Sequence, residues 1–399
     1  MERRAYEAPL DPALAVSGLL TRLGLFLLVV AVPVLAMLSR RTISVLVPIA
    51  TVLLILAAAL DGRLVAAFGR FGRMLVAPPA LALAALVLWA AITILWTPRP
   101  GLASTRLLGS VVIIALFAAA VACLKDRAKL SDVNLIPIGV AIAAVALAAL
   151  FMPHSPFAAL IGPDSDSLES QRAAMLLALL AWPAIGSLNS KHRHWQALAL
   201  GASVALALWL VNNLVVVFAF LAGLLFFLLA IWRPRSSVLA AGSATLALLL
   251  LAPFLSWLLA NYGGFLLPRE GDSLVAAWRD VTYSLPSRLL LGFGFESSGA
   301  LARGTTGVVL GSPRNAALQV WLELGMVGVA LAAVAIGVVF HAIDRVDAKA
   351  QPAATAVCAV TVVMMFAGLG TWQSWWVTAV GLAAVSLAFV SRRAQRSWE

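Results

Sequence analysis

The sequence predicts an all-α integral membrane protein with about 12 transmembrane helices and one large external loop that contains an interfacial helix. Three observations predict it. Of the 399 residues 63% are hydrophobic and only 11% are charged, too few charges to cover a soluble surface. The apolar residues come in runs of roughly 17 to 25, the length that crosses about 30 Å of hydrocarbon as a helix. Between these runs the basic residues concentrate in alternate loops, as they do when they orient a chain across a bilayer.

The runs lie near 23–38, 42–60, 74–96, 107–123, 133–152, 172–188, 196–211, 214–231, 238–259, 315–340, 353–370 and 375–390. Residues 1–22 read as a cytoplasmic tail, 23–259 as the first nine helices, 260–314 as the large loop, 315–390 as the last three helices and 391–399 as a second cytoplasmic tail. No A-x-A cleavage pattern lies between the start of the first apolar run and Ser39, so that run is expected to be retained rather than removed as a signal peptide. Very short turns at Asn212-Asn213 and at Thr371 to Ser374 join two helical hairpins.

Orientation follows from Lys and Arg. Most of the 28 fall in segments that share one side, among them Arg63, Arg70 and Arg73, then Lys125, Arg127 and Lys129, then Arg392, Arg393 and Arg396. Both termini are therefore expected in the cytoplasm and the large loop outside. The net charge of +11 is spent on this asymmetry, and no basic patch interleaved with exposed aromatics suggests nucleic acid. Cys123 and Cys358 sit inside apolar runs with no ligand spacing, so neither a disulfide framework nor a metal site is expected. The acidic turn at Asp164, Asp166 and Glu169 lacks the glycine and closing Glu of a calcium loop and reads as solvated.

Polar chemistry concentrates between Asn261 and Gly328. From Asp272 or Ser273, a suitable N-cap, Leu274, Val275, Trp278, Val281 and Leu285 recur at helical spacing until Pro286, which predicts an amphipathic helix in the external interface with Arg279 and Tyr283 on its polar side. Arg279 either snorkels to lipid phosphate or serves a site. Gly292-x-Gly294 lacks the rest of a dinucleotide fingerprint and predicts a tight turn or a close approach, so no cofactor is expected. In the tenth run Asn315, Gln319 and Glu323 share one stripe, which either bonds to neighbouring helices or lines a cleft open to the outside. Gly325 and Gly328 predict the close approach of another helix just below it. Glu323 is the one Asp, Glu, Lys or Arg well inside any run, a composition unlike that of ion-coupled transporters.

Arg314-Asn315 with Gly325 and Gly328, preceded by Trp278-Arg279-Asp280 and by Pro286 to Gly294, resembles the O-antigen ligase family, which includes related O-antigen polymerases. Gly370 to Trp376 and Trp96 to Arg99 are similar too. The resemblance implies a metal-independent membrane glycosyltransferase of the bacterial inner membrane. It would take a glycan from undecaprenyl pyrophosphate at the periplasmic face and join it to lipid A core or to another glycan. Arginine gives bidentate contacts to a departing pyrophosphate. Arg314, Asn315 and Arg279 are accordingly the expected catalytic residues, with Arg172, Arg288, Gln319 and Glu323 at the substrate. A polyprenyl tail would occupy an apolar groove beside the arginines.

Two positions depart from the family. Its motif carries a His where this chain has Arg314, and a guanidinium stays protonated and cannot be a general base. Glu296, Glu270, Asp280 or His154 could replace it on the same side. The Arg the family often has between the seventh and eighth spans is absent from Val211-Asn212-Asn213-Leu214. Three alternatives to a ligase follow: an O-antigen or exopolysaccharide polymerase, a non-catalytic member that binds lipid-linked glycan, and a lipid-linked sugar transporter.

Overall fold

The computed structural model describes residues 12–36, 40–124, 134–152, 168–262, 281–283, 285–298, 315–367 and 373–394. Among these residues there is no strand. The helices are α1 (Pro12–Phe26), which runs through a π-helical turn (Leu27–Ala31) into α2 (Val32–Leu35), then α3 (Arg40–Leu60), α4 (Leu64–Leu75), α5 (Pro78–Thr93) with a 3-10 turn (Ile94–Trp96), and α6 (Pro100–Cys123). They continue as α7 (Leu135–Phe151), α8 (Leu168–Asn189), α9 (His194–Leu210), α10 (Leu214–Trp232), α11 (Pro234–Tyr262), a 3-10 turn (Leu285–Arg288), α12 (Ala316–Asp344), α13 (Gln351–Ala367) and α14 (Ser374–Ala394).

Eight helical stretches are long and apolar enough to cross a membrane: Ala15–Leu35, Pro78–Trp96, Pro100–Cys123, Ser170–Asn189, Leu214–Trp232, Pro234–Leu259, Ala316–Asp344 and Ser374–Ser391. Four shorter apolar helices, Val45–Leu60, Leu135–Phe151, His194–Leu210 and Gln351–Ala367, stand where the remaining runs lie. The chain is thus a helical, multi-pass membrane protein by the length and composition of its helices.

Helix α8 is buried on every side from Ala173 to Ala184, as a helix that is apolar all round must be. Around it α7, α9, α10, α13 and α14 form the main core, in which Trp182 lies against Phe220 and Phe227 at ring distances of 5.1 and 5.4 Å. The π turn has a local cause. Pro33 has no N–H for the carbonyl of Val29, four residues back, and the helix widens there. Gly139 of α7 packs onto that carbonyl so closely that a Cβ would come within 2.2 Å of it.

Several boundaries differ from the sequence reading. The first helix begins by Pro12, well inside the expected tail, because Ser17 donates to Ala57 O at 3.1 Å and also to Asp61, tying residues 12–22 to the end of α3. The expected run 74–96 is two elements: Pro78-Pro79 starts α5, and residues 64–75 form the separate helix α4. Helix α6 starts at Pro100, in the first-turn position that suits proline, which brings Arg106 inside the helix instead of before it.

A second, smaller core lies beside the first. Leu86 and Ala90 of α5, Ala103 and Leu107 of α6, Leu249 and Ala252 of α11, and Ala317, Leu318 and Leu324 of α12 close around Phe295, which is completely buried. Phe295 belongs to the segment expected to lie wholly in the external loop. Instead, residues 285–298 run back into the bundle against α12.

Candidate functional site

The site is built on a break. At Gly325 α12 leaves the helical conformation, with φ 64 and ψ −166, a backbone state open essentially only to glycine. The break lies about 14 Å along α12 from its first residue at the usual rise per residue. Inside an apolar bundle the N–H and C=O groups that a break frees need partners. Five of the groups around Gly325 are paired with the inserted segment or with α5. Met326 N donates to Leu289 O at 2.8 Å and Val327 N to Leu290 O at 3.4 Å, while Phe293 N donates to Leu322 O and Gly294 N to Glu323 O, both at 2.9 Å. The indole of Trp89 on α5 donates to Leu324 O at 2.9 Å.

The inserted segment is held equally on its other side. Phe295 N donates to the hydroxyl of Thr93 at 3.1 Å, that of Thr97 donates to Phe295 O at 2.6 Å, and the indole of Trp96 donates to Gly292 O at 3.3 Å. Gly292 and Gly294, both with positive φ, make this contact possible. A Cβ on Gly292 would come within 2.4 Å of Glu323 O. The close approach expected at Gly325 is real, but a loop makes it rather than a helix, and Gly328 makes room for Leu324 of its own helix.

Polar side chains close the break. Glu323 is 0% exposed. One carboxylate oxygen accepts from Glu296 N at 3.0 Å; the other accepts from Ser298 N at 3.4 Å and from Gln319 Nε2 at 3.0 Å. Asn315 caps α12 by accepting from Ala317 N and Leu318 N at 3.0 and 3.2 Å. The stripe of Asn315, Gln319 and Glu323 therefore exists, is buried, and bonds to the backbone of the inserted segment and of its own helix. Glu296, with a positive φ of 62, points to Arg106, whose Nη1 is 2.6 Å from both carboxylate oxygens. Glu296, one of the four expected replacement bases, thus has its carboxylate held by a cation from α6.

Arg106→Ala would leave the nearly buried Glu296 carboxylate without that cation. Because the arginine is itself half exposed, the expected loss of stability is about 1–3 kcal/mol, below that of a fully buried pair. Arg106→Lys should recover part of it, since the charge returns without the guanidinium fork. Thermal unfolding in detergent measures both.

Arg172, in the second turn of α8, stands with its guanidinium carbon 5.5 Å from the ring centre of Trp375 on α14. The two line a small, almost wholly apolar pocket together with Ala36, Leu176, Thr378, Ala379 and Leu382. Arg288 is exposed, 5.9 Å from the Phe293 ring centre. Arg279, Arg314, Asp280, Glu270 and His154 lie outside the described residues, as does most of the expected interfacial helix; Val281 to Tyr283, at its end, are helical. Thr282 and Ser256 of α11 share a hydrogen bond of 2.5 Å. Among the described residues no group of three or more His, Cys, Asp or Glu could hold a metal ion.

Sequence reasoning missed Trp89, Thr93, Thr97 and Arg106 as members of this cluster. Their signal was present: an arginine against the orientation rule, and indoles and hydroxyls at the end of an apolar run with no partner nearby in sequence. No protein-family model matches the chain, and no curated protein matches it.

Proposed function

We propose that this protein transfers a glycan from undecaprenyl pyrophosphate to lipid A core or to another glycan, in the manner of O-antigen ligases, at the periplasmic face of a bacterial inner membrane. The observation that supports it best is Arg172 against Trp375 beside a small apolar pocket near the starts of α8 and α14. A polyprenyl phosphate joins an anionic head, which a guanidinium can grip bidentately, to a hydrocarbon tail that lies among apolar helices. In this reading the eight long and four shorter apolar helices are twelve spans with both termini cytoplasmic, and the starts of α6, α8 and α14 face the periplasm. Arg279 and Arg314 stabilise the departing pyrophosphate, where charge stabilisation acts on the barrier most directly.

The test is transfer by purified protein in nanodiscs, with an undecaprenyl-pyrophosphate glycan as donor and lipid A core or a second donor as acceptor. Glycan on lipid A core identifies a ligase, and chain lengthening on the donor identifies a polymerase. Arg172→Ala is expected to lower transfer about 10-fold or more by removing a charge-assisted phosphate contact, with Arg279→Ala and Arg314→Ala abolishing it. Undiminished transfer in all three refutes the site. No product on either acceptor, beside a His-bearing ligase active in the same mixture, refutes catalysis and leaves binding of lipid-linked glycan.

One observation favours a second reading. A broken helix with a carboxylate beside the break is a layout that transporters use around a central site, and α12 has one at Gly325 and Glu323, about a third of the way along it. Movement of lipid-linked sugar across vesicles without covalent joining would support that alternative.

A further inference from the structure

Helix α4 gives the main core only Ala67 and plays no part in the proposed chemistry. Its 12 residues span about 18 Å, too short to cross a bilayer. It is nonetheless sharply two-sided. At about 100° per residue, Leu64, Ala67, Phe71 and Met74 form one face, and the chain covers it in part: Ala67 is buried, the other three are half-buried, and Arg70 Nε donates to Ala122 O at the end of α6 at 2.9 Å. Next to that face and continuous with it, Leu75, Phe68 and Val65 form an apolar strip that no part of the described chain covers. Phe68 is 67% exposed and Val65 84%. On the opposite side stands Arg73, also exposed, and α4 carries no acidic residue. The nearest one, Asp61, already holds Arg63 at 2.7 Å and the hydroxyl of Ser17.

We propose that α4 lies in the plane of the membrane surface and binds anionic phospholipid in the leaflet that the arginine distribution assigns to the cytoplasm. Val65, Phe68 and Leu75 enter the acyl layer, while Arg73 meets the phosphates. Charge and position select this occupant. An apolar strip beside an arginine, on a helix with no acid, suits acyl chains under anionic headgroups. The helix hangs between the end of α3 and the start of α5, two apolar helices that fix its height at a membrane boundary. A protein partner would have to reach the same strip through the lipid that surrounds α3 and α5. The hydrogen bond from Arg70 to Ala122 O ties α4 to the end of α6.

The experiment uses the full chain in nanodiscs of phosphatidylcholine and phosphatidylglycerol. Benzoylphenylalanine replaces Val65 or Phe68, with Leu88 of α5, 62% exposed on an apolar helix, as the lipid-facing control. On irradiation, positions 65 and 68 are expected to give lipid adducts like position 88. Adducts to a second copy, or none while position 88 reacts, would overturn the proposal. Headgroup selection is read separately, as the ratio of phosphatidylglycerol to phosphatidylcholine retained on purification. Arg73→Gln is expected to lower it about fivefold, from one basic residue lost at an anionic surface. An unchanged ratio would overturn the anionic preference. Neither readout depends on glycan transfer.

Discussion

Glu323→Ala is expected to be among the most destabilising single changes in the protein. The side chain is completely buried and serves three donors at once: Glu296 N, Ser298 N and Gln319 Nε2. Truncation leaves all three without that acceptor, and an unsatisfied buried donor costs about 1–3 kcal/mol. Partial relaxation of Gln319 puts the expected loss at about 3–6 kcal/mol. Glu323→Gln should cost roughly half as much, because one oxygen still accepts while the new amide N–H₂ faces a donor. The two cysteines report on unfolding without further engineering. Cys123 is buried and Cys358 partly so, so a thiol-reactive dye follows exposure of the bundle interior as temperature rises. A transition of Glu323→Ala within a degree of wild type would show that the carboxylate does not hold the segment. It would also return Glu323 to the role of a substrate ligand.

That contrast matters for the proposed function. Glu323 and Gln319 were expected at the substrate, yet both side chains are buried and bonded to each other at 3.0 Å. Their geometry suits them to position the inserted segment, which carries Arg288 and Glu296. Variants at Glu323 should therefore lose transfer in step with folding, whereas Arg172→Ala should lose transfer at unchanged thermal stability. Measuring both quantities on both variants separates scaffold from chemistry.

The helices were legible in the sequence because a bilayer imposes a length and a composition on each, and apolar runs declare both. The stripe on α12 was legible for the same reason: a spacing of four fixes a face. Its partners were not. The groups that bond Glu323 are mainly backbone N–H groups of Glu296 and Ser298, and every residue except proline has one, so no residue type marks them. The break at Gly325 was hidden because glycine serves equally well for close helix packing and for a positive φ. Helix α4 was hidden for another reason. Its arginines answer the orientation question, and Leu64, Ala67 and Phe71, spaced three and four apart, fall between the runs 42–60 and 74–96.

Gly325→Ala sets the two halves of this architecture against each other. An added Cβ would come within 2.5 Å of Gly292 N and of Leu290 O, and the residue would have to hold φ 64 and ψ −166. The backbone state alone costs about 1–3 kcal/mol for a residue other than glycine, before the collisions are counted. One escape is open to the chain. If α12 becomes a continuous helix, Met326 N and Val327 N return to Leu322 O and Glu323 O, the carbonyls that now serve Phe293 and Gly294. The helix then gains what the segment loses. The expected result is therefore local: amides of Phe293, Gly294 and Phe295 exchange hydrogen orders of magnitude faster, while α8 and its surroundings keep their protection. Gly337→Ala, on the same helix, provides the opposite sign. A Cβ there meets nothing within 4 Å, and alanine in an open helical position stabilises by up to about 1 kcal/mol. If Gly325→Ala behaves like Gly337→Ala, the break is not a requirement of the fold, and the inserted segment would need another reason to stay where it is.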